Sequence, residues 1–249
     1  MFNSGHIIFI VISFILILSG EILAGFYIKS DKTKITLLKI FSCLTVMIHY
    51  SSLYVDYLTT GSASVDNTML FLIYPCHVAM WLMVIVAFYK NKQSKFFTIV
   101  ADFAFYLGVV GGIIGLVFNE IYINNPTFAD WSSVKGLFSH ATLIFNAIYI
   151  YVGGFMNIRV KNVISVIIGM SFLVVDGAAV ILLFKLCGLD APNSMYLLKS
   201  PLPSSPIINT WTIGILGVIL VFVISATYEF FMLKKPDRWY NKIFKGDKN

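Results

Sequence analysis

Long apolar segments recur along almost the whole chain, and short polar stretches separate them. Seven segments have about 18 or more mainly apolar residues, the length at which a helix crosses roughly 30 Å of hydrocarbon. They cover residues 6–28, 37–58, 69–89, 97–118, 137–156, 163–185 and 211–233. The pattern predicts an all-α, polytopic membrane protein. We expect one seven-helix transmembrane domain over residues 1–249, with a short basic tail at 234–249.

Composition supports this prediction, since 58% of the 249 residues are hydrophobic and only 12% are charged. A water-soluble globule of this size cannot bury so much apolar surface. The first segment differs from a signal peptide because it is too long, carries Glu21 and follows no basic residue. We expect it to be a retained helix.

Basic residues predict the orientation. Fifteen of the eighteen Lys and Arg residues fall in the tail or on the three connections that share its side of the membrane. The other side is left with Lys135, Lys185 and Lys199. By the positive-inside rule, the N-terminus is expected outside and the C-terminus in the cytosol. The net charge of +6 therefore reflects topology, and no nucleic-acid motif accompanies it.

Polar side chains within these segments are costly in lipid and therefore indicate functional sites. In the second segment, His49, Ser52 and Asp56 are three and four residues apart and share one helix face. Asp176, in the sixth segment, lies at about the same depth as His49. We expect these two side chains to be within hydrogen-bonding range, directly or through one water.

The third segment places Pro75, Cys76 and His77 side by side. A proline inside a helix removes a backbone hydrogen bond, here from the carbonyl of Phe71, and we expect it to open the helix. His140 enters the fifth segment from the same side of the membrane. The sequence thus predicts that His49, His77 and His140 meet in a pocket open to the outside, where a histidine could activate the Cys76 thiol.

Several of these polar residues also have a purely structural interpretation. Cys43 and Cys187 are interpreted as packing residues, and packing remains an alternative for Cys76. His49 and Asp176 could form a purely structural pair. The remaining acidic residues of the segments are interpreted as snorkelling or capping groups: Glu21, Asp102 and Glu229. No HxxxH, HExxH or CxxC spacing presets a metal site, so neither a metal nor another cofactor is expected.

The loop before the last segment, "GLDAPNSMYLLKSPLPSSPIINTW", contains four of the seven prolines. They are Pro192, Pro201, Pro203 and Pro206. With Asn193 and Tyr196, they predict a stiff, partly apolar lid over the outer pocket.

Three of these motifs carry a family resemblance: "YPCHV" in the third segment, Ser139–His140 in the fifth, and "NSMYLLKSP" before the last. They resemble the YwaF-like bacterial membrane proteins and their eukaryotic relatives, the transmembrane protein 164 family. The eukaryotic members are regarded as lipid acyltransferases that use a cysteine and a histidine, which the motifs match to Cys76 and His140. Many bacterial members have a cysteine three places later, where this chain has Ala79.

The resemblance implies acyl transfer between phospholipid and lyso-lipid through a thioester on Cys76, with His140 as the base. His77, Asn193 or Tyr196 would donate to the oxyanion, while His49 and Asp176 would orient the site. A bacterial cell membrane is the expected location, with the endoplasmic reticulum second. The alternative is a small-molecule transporter or binding protein, in which Glu21, Asp102 and Glu229 would continue a polar path to the cytosol.

Overall fold

The computed structural model describes residues 3–61, 71–201, 207 and 209–241, and the regular structure in these ranges is entirely helical. The all-α prediction is therefore confirmed. We number the long helices α1 Ser4–Tyr27, α2 Asp31–Thr60, α3 Pro75–Phe88, α4 Lys95–Val117, α5 Trp131–Val152, α6 Asn162–Leu186 and α7 Thr210–Met232. A short helix, Glu120–Asn124, and two 3₁₀ turns, Ser194–Tyr196 and Lys235–Asp237, complete the description. Several predicted features lie outside the described residues: the start of the third segment at Met69, Pro203, Pro206 and the tail beyond residue 241.

Five of the helices in the described part of the chain are long and apolar enough to cross a membrane. They are Ser4–Tyr27, Asp31–Thr59, Lys95–Asn124, Asn162–Leu186 and Thr210–Met232. The third of these spans joins α4 to the short helix. The α3 helix is apolar but has only 14 residues. Several apolar helices of this length are the mark of a multi-pass membrane protein.

Local capping sets the helix ends more sharply than hydropathy does. The Asn3 side chain accepts the His6 amide at 2.7 Å and begins α1. The Asn209 side chain caps α7 in a reciprocal capping box with Thr212. Gly61 ends α2 in the left-handed conformation, with φ of 74°, which glycine adopts at little cost.

The structure corrects the expected break at Pro75. This proline occupies the first turn of α3, and residues 71–74 before it are not helical. Proline is favoured at the first helical position because its missing N–H would have no partner there, and it pushes the preceding Tyr74 into an extended conformation. The Phe71 carbonyl is not freed from a helix, since it accepts the amide of Ile73 at 2.9 Å.

The α4 helix lies at the centre of the bundle and packs against α3, α5 and α6, whereas α5 also contacts α1 and α2. A row of glycines on α4 allows this close packing. A Cβ atom on Gly108 would come within 2.8 Å of the Ala147 Cβ, and one on Gly112 within 2.6 Å of the Ile144 side chain. Small residues at these positions let the backbones of α4 and α5 approach closely.

Buried acidic residues fasten the end of the bundle at which α7 finishes. Both carboxylate oxygens of Glu229 accept backbone amides, from Val160 at 2.8 Å and from Trp239 at 2.7 Å. Asp102 accepts the Ser165 hydroxyl at 2.8 Å, which ties α4 to α6. The capping interpretation therefore fits Glu229, and Asp102 is a link between helices.

Replacing Glu229 by alanine should lower the thermal stability of the detergent-solubilised protein. The change leaves two backbone N–H groups without their charged acceptor, a loss of about 2–4 kcal/mol. Thr227→Ala is the matched control, since Thr227 lies on an exposed part of the same helix. Equal melting temperatures for the two variants would contradict this structural role for Glu229.

Candidate functional site

Three imidazole rings from three different helices come together near the end of the bundle where α3 and α5 begin. The rings of His49 and His77 have their centroids 4.6 Å apart. His140 is close enough for its charge to interact with both. The predicted convergence of these histidines is therefore present in the structure.

His140 lies against α4 at a point where no side chain intervenes. A Cβ atom on Gly115 would fall 2.2 Å from Cε1 of the His140 ring and 2.4 Å from its Nε2. The ring thus occupies the space that any larger residue at position 115 would fill. His140 Nδ1 is buried and has no hydrogen-bond partner among the described residues. His77 is also buried, and its Nδ1 is likewise unpartnered within those residues.

Aromatic contacts extend the histidine group to the loop before α7. The Tyr74 ring packs edge-on against His77, with centroids 5.3 Å apart, and its other neighbour is the Tyr196 ring at 5.6 Å. Rings from α2, α3 and the loop therefore form a continuous row: His49, His77, Tyr74 and Tyr196. The loop predicted to act as a lid reaches the histidines through this row.

The same loop is anchored beneath that row by a strained turn. Met195 and Tyr196 have positive φ angles of 49° and 56°, which side chains other than glycine adopt at a cost. The Met195 amide donates to the Ile73 carbonyl at 2.8 Å, and the Thr210 hydroxyl donates to the Met195 carbonyl at 2.6 Å. Met195 is buried and packs over Gly177 of α6. These contacts hold the turn against the segment that precedes α3.

The Asn193 side chain makes its hydrogen bonds within the loop before α7. Its side-chain oxygen accepts the amides of Leu198 and Lys199, and its side-chain nitrogen donates to the Lys199 carbonyl, all at 3.0 Å. The geometry gives Asn193 a role in folding the loop. Of its two amide N–H donors, one is used in this way.

Cys76 is the second residue of α3 and lies one position before His77. Its side chain is half-buried and packs against the main apolar cluster of the bundle. The first turn of the helix surrounds it, so the backbone amides of Cys76 and His77 lie near the thiol. All three cysteines are free thiols, with Cys43 half-buried and Cys187 exposed.

Polar contacts between α2 and α5 border the site. Lys135 donates to the Ser52 hydroxyl at 2.6 Å, and the Trp131 indole donates to the Ser51 hydroxyl at the same distance. Lys135 is also close enough for its charge to act on His77. Asp56, one turn from Ser52, is half-buried on the same helix.

Asp176 lies on α6, next to Gly177, against which the Met195 turn packs. Its Oδ2 atom is buried and has no hydrogen-bond partner among the described residues. The expected direct bond to His49 is therefore not formed through this oxygen. His49 instead faces His77 and the edge of Tyr50.

Sequence reasoning missed four residues that shape the site: Tyr74, Lys135, Gly115 and Met195. Tyr74 and Met195 are letters of the motifs "YPCHV" and "NSMYLLKSP", and Lys135 is one of only three basic residues on the expected outer side. Gly115 gave no signal, because nothing in a sequence shows which helix faces a glycine.

The arrangement suits proton transfer and nucleophilic chemistry. Within the described ranges, no group of three or more His, Cys, Asp and Glu side chains is placed to hold a metal ion. What remains is a set of neighbouring imidazoles, a thiol at a helix N-terminus and a tyrosine hydroxyl.

Comparison with known proteins adds one finding. No curated protein and no solved structure matches the chain. The family model described as the TMEM164 family matches residues 1–228, which is most of the 249 residues and includes every site residue named above. The chain is a membrane protein that belongs to the TMEM164 family.

Proposed function

We propose that this protein is a lipid acyltransferase that moves a fatty acyl group from a phospholipid to a lyso-lipid through a thioester on Cys76. The observation that carries the proposal is the convergence of His49, His77 and His140 at the end of the bundle where α3 begins. Lipid substrates reach such a site from the surrounding bilayer. The chemistry requires no cofactor.

Cys76 suits the nucleophile because of its place in the helix. The first helical turn places the backbone amides of Cys76 and His77 near the thiol, at the positive end of the helix dipole. Pro75 fixes that turn by setting the backbone angle of the first helical position. The proline thus presents the thiol at a helix N-terminus.

His140 suits the base because it can take a proton at a ring nitrogen. Its Nδ1 has no hydrogen-bond partner among the described residues, and the contact with Gly115 fixes the ring position. His49 and His77 surround it as further imidazoles, and Asp176 supports the site from α6. The mechanism requires the thiol and the ring to reach hydrogen-bonding distance in the substrate complex.

The proposed reaction proceeds in two steps. His140 takes the proton from the Cys76 thiol, and the sulfur attacks the ester carbonyl of the donor phospholipid. The C–O bond then breaks, the released lyso-lipid takes the proton from His140, and the acyl group remains on sulfur. In the second step an acceptor hydroxyl gives its proton to His140 and attacks the thioester, and Cys76 leaves and regains that proton.

Developing negative charge on the carbonyl oxygen needs donors. His77 and Tyr196 fill this role in the proposal, since the Tyr74 ring joins them into one wall of the site. The loop carrying Tyr196 excludes water, which favours transfer over hydrolysis.

The test uses the purified full-length protein in detergent, a phospholipid with an isotope-labelled acyl chain and an unlabelled lyso-lipid. Transfer should place the label on the lyso-lipid, and mass spectrometry of the trapped protein should find the labelled acyl group on Cys76. No labelled acceptor and no adduct on any cysteine would refute the proposed function.

We further propose that all seven long helices cross the membrane, with the N-terminus outside and the C-terminus in the cytosol. The α5 helix has 22 residues, or about 33 Å at 1.5 Å per residue. The α3 helix spans only about 21 Å, and the non-helical residues 71–74 before it add to that depth. A bacterial cell membrane is the proposed location, with the endoplasmic reticulum as the second choice.

Reporter fusions test this topology. A reporter that is active only outside the cytosol should be inactive when fused after Asn249, because the tail and its basic residues stay inside. The same reporter fused after Ser200, in the loop before α7, should be active. The reverse pattern would overturn the orientation, and equal activity at both positions would show that α7 does not cross.

A further inference from the structure

A second polar group lies inside the bundle, away from the histidines. Glu21 is on the buried face of α1 and is only 4% exposed. Both of its carboxyl oxygens are buried and lack a hydrogen-bond partner among the described residues. Among the described residues, the two other buried acidic side chains, Asp102 and Glu229, both accept hydrogen bonds. Glu21 therefore stands apart from them.

Two buried side chains of α5, the helix that packs against α1, have further unpartnered oxygens. Tyr149 of α5 is 1% exposed, its hydroxyl has no hydrogen-bond partner in the described structure, and it lies close enough to Glu21 for their charges to interact. Asn146 lies three residues earlier, on the same face of α5. Its side-chain nitrogen donates to the Thr45 hydroxyl at 2.8 Å, and its oxygen is left buried and unpartnered within those residues.

Packing on either side places this group between helices. A Cβ atom on Gly20 would lie 3.1 Å from the Phe145 ring, and one on Gly25 would lie 3.5 Å from Val152. These two contacts bracket Glu21 along α1. The carboxyl group is therefore enclosed by α1 and α5 and does not face lipid.

All these unpartnered atoms are oxygens that can accept, and only the tyrosine hydroxyl can also donate. An ionised carboxylate enclosed in this way is strongly unfavourable unless a positive charge accompanies it. A group of oxygen acceptors suits a proton or a hard metal cation. We propose that Glu21, with Tyr149 and Asn146, forms a binding site for a small monovalent cation, either a proton or Na⁺.

This cation site is separate from the proposed acyl-transfer site. Tyr149 follows His140 by nine residues on α5, a distance of about 13.5 Å along the helix. It lies near Val152, where α5 ends, whereas His140 lies towards the other end. The inference does not depend on the acyltransferase proposal.

The test compares the wild-type protein with Glu21→Gln, which keeps the shape of a protonated glutamic acid but cannot ionise. Thermal stability of the solubilised full chain is measured between pH 5 and 9 at constant ionic strength, first in choline chloride and then in NaCl. Tyr149 is the titratable side chain that faces Glu21. No charged group of the described residues acts electrostatically on the Glu21 carboxyl group.

In choline chloride, the wild type should match Glu21→Gln at low pH and melt lower by roughly 5 °C at high pH, because the neutralising proton is lost. If the melting temperature of the wild type recovers in NaCl at high pH, the cation is Na⁺. If it does not recover, the cation is the proton. Parallel curves for the two proteins at every pH and in both salts would overturn the proposal.

A second variant keeps the test decisive if Glu21→Gln fails to fold. Glu21→Asp retains the carboxyl group but withdraws it from Tyr149, so it should move the midpoint of the wild-type pH transition. A wild type with no such transition, or an unchanged midpoint in Glu21→Asp, would equally overturn the cation site.

Discussion

Cys76→Ser is expected to abolish labelled acyl transfer while leaving the fold intact. Serine nearly matches cysteine in size, so the packing of this half-buried side chain changes little. A serine hydroxyl, however, is a much poorer nucleophile than a thiolate near neutral pH. We expect the transfer rate to fall by at least about 10³-fold, measured as label on the lyso-lipid acceptor. The covalent adduct on residue 76 should disappear as well.

The two remaining cysteines provide matched controls. Cys43→Ser and Cys187→Ser also remove free thiols and should retain nearly full activity. His140→Ala should lose about as much activity as Cys76→Ser. The double variant should be little worse than either, because partners in one step are strongly non-additive. Transfer that survives Cys76→Ser would refute the thioester mechanism.

The helices themselves could be predicted from the apolar segments. Lipid offers the backbone no hydrogen-bond partners, and a helix satisfies its own backbone hydrogen bonds. The predicted segments match the observed helices α1, α4, α6 and α7 to within two residues at each end. The largest errors, of six residues, are at the starts of α2, α3 and α5. At α3, apolar residues continue past the helix start and hide it. Pro75 carried the correct signal, but in an apolar run a proline at the first helical position looks like one in the interior.

The histidine group could be predicted because topology brings the polar residues of α2, α3 and α5 to the same end of the bundle. Depth along each helix follows from residue counting. Rotation about each helix axis cannot be obtained in this way. For this reason the expected direct contact between His49 and Asp176 is not formed through Asp176 Oδ2, and the contact between Gly115 and His140 was not predicted.

Loop geometry was the least predictable part. Prolines around "NSMY" indicated a stiff loop, but the positive φ angles of Met195 and Tyr196 depend on contacts with Ile73 and Gly177 that are distant in sequence. Asn193 was expected as one of three candidate oxyanion donors, and its hydrogen bonds within the loop were not foreseen. Residues whose partners are far along the chain are those that a sequence pattern describes worst.

Gly115→Ala is expected to lower the proposed acyl transfer about 10²-fold without removing any reacting group. The added methyl group would lie 2.2 Å from Cε1 and 2.5 Å from Nδ1 of His140, so the imidazole must move. Such overpacking costs about 1–3 kcal/mol of stability. A displacement of about 1 Å in a catalytic group can cost roughly 10²-fold in rate. We therefore expect labelled acyl transfer to fall by about that factor, while the protein still folds.

Two neighbouring glycines on α4 separate displacement of His140 from other effects of alanine. Gly111 has no atom within 4 Å of its would-be Cβ, so Gly111→Ala should leave both stability and transfer unchanged or slightly improve stability. At Gly112 the methyl group would meet the Ile144 side chain at 2.6 Å, so Gly112→Ala should lower the melting temperature much as Gly115→Ala does but keep most of the activity. Equal activity losses in Gly112→Ala and Gly115→Ala would show that lowered stability, and not displacement of His140, causes both losses. Full activity in Gly115→Ala would remove His140 from the reaction.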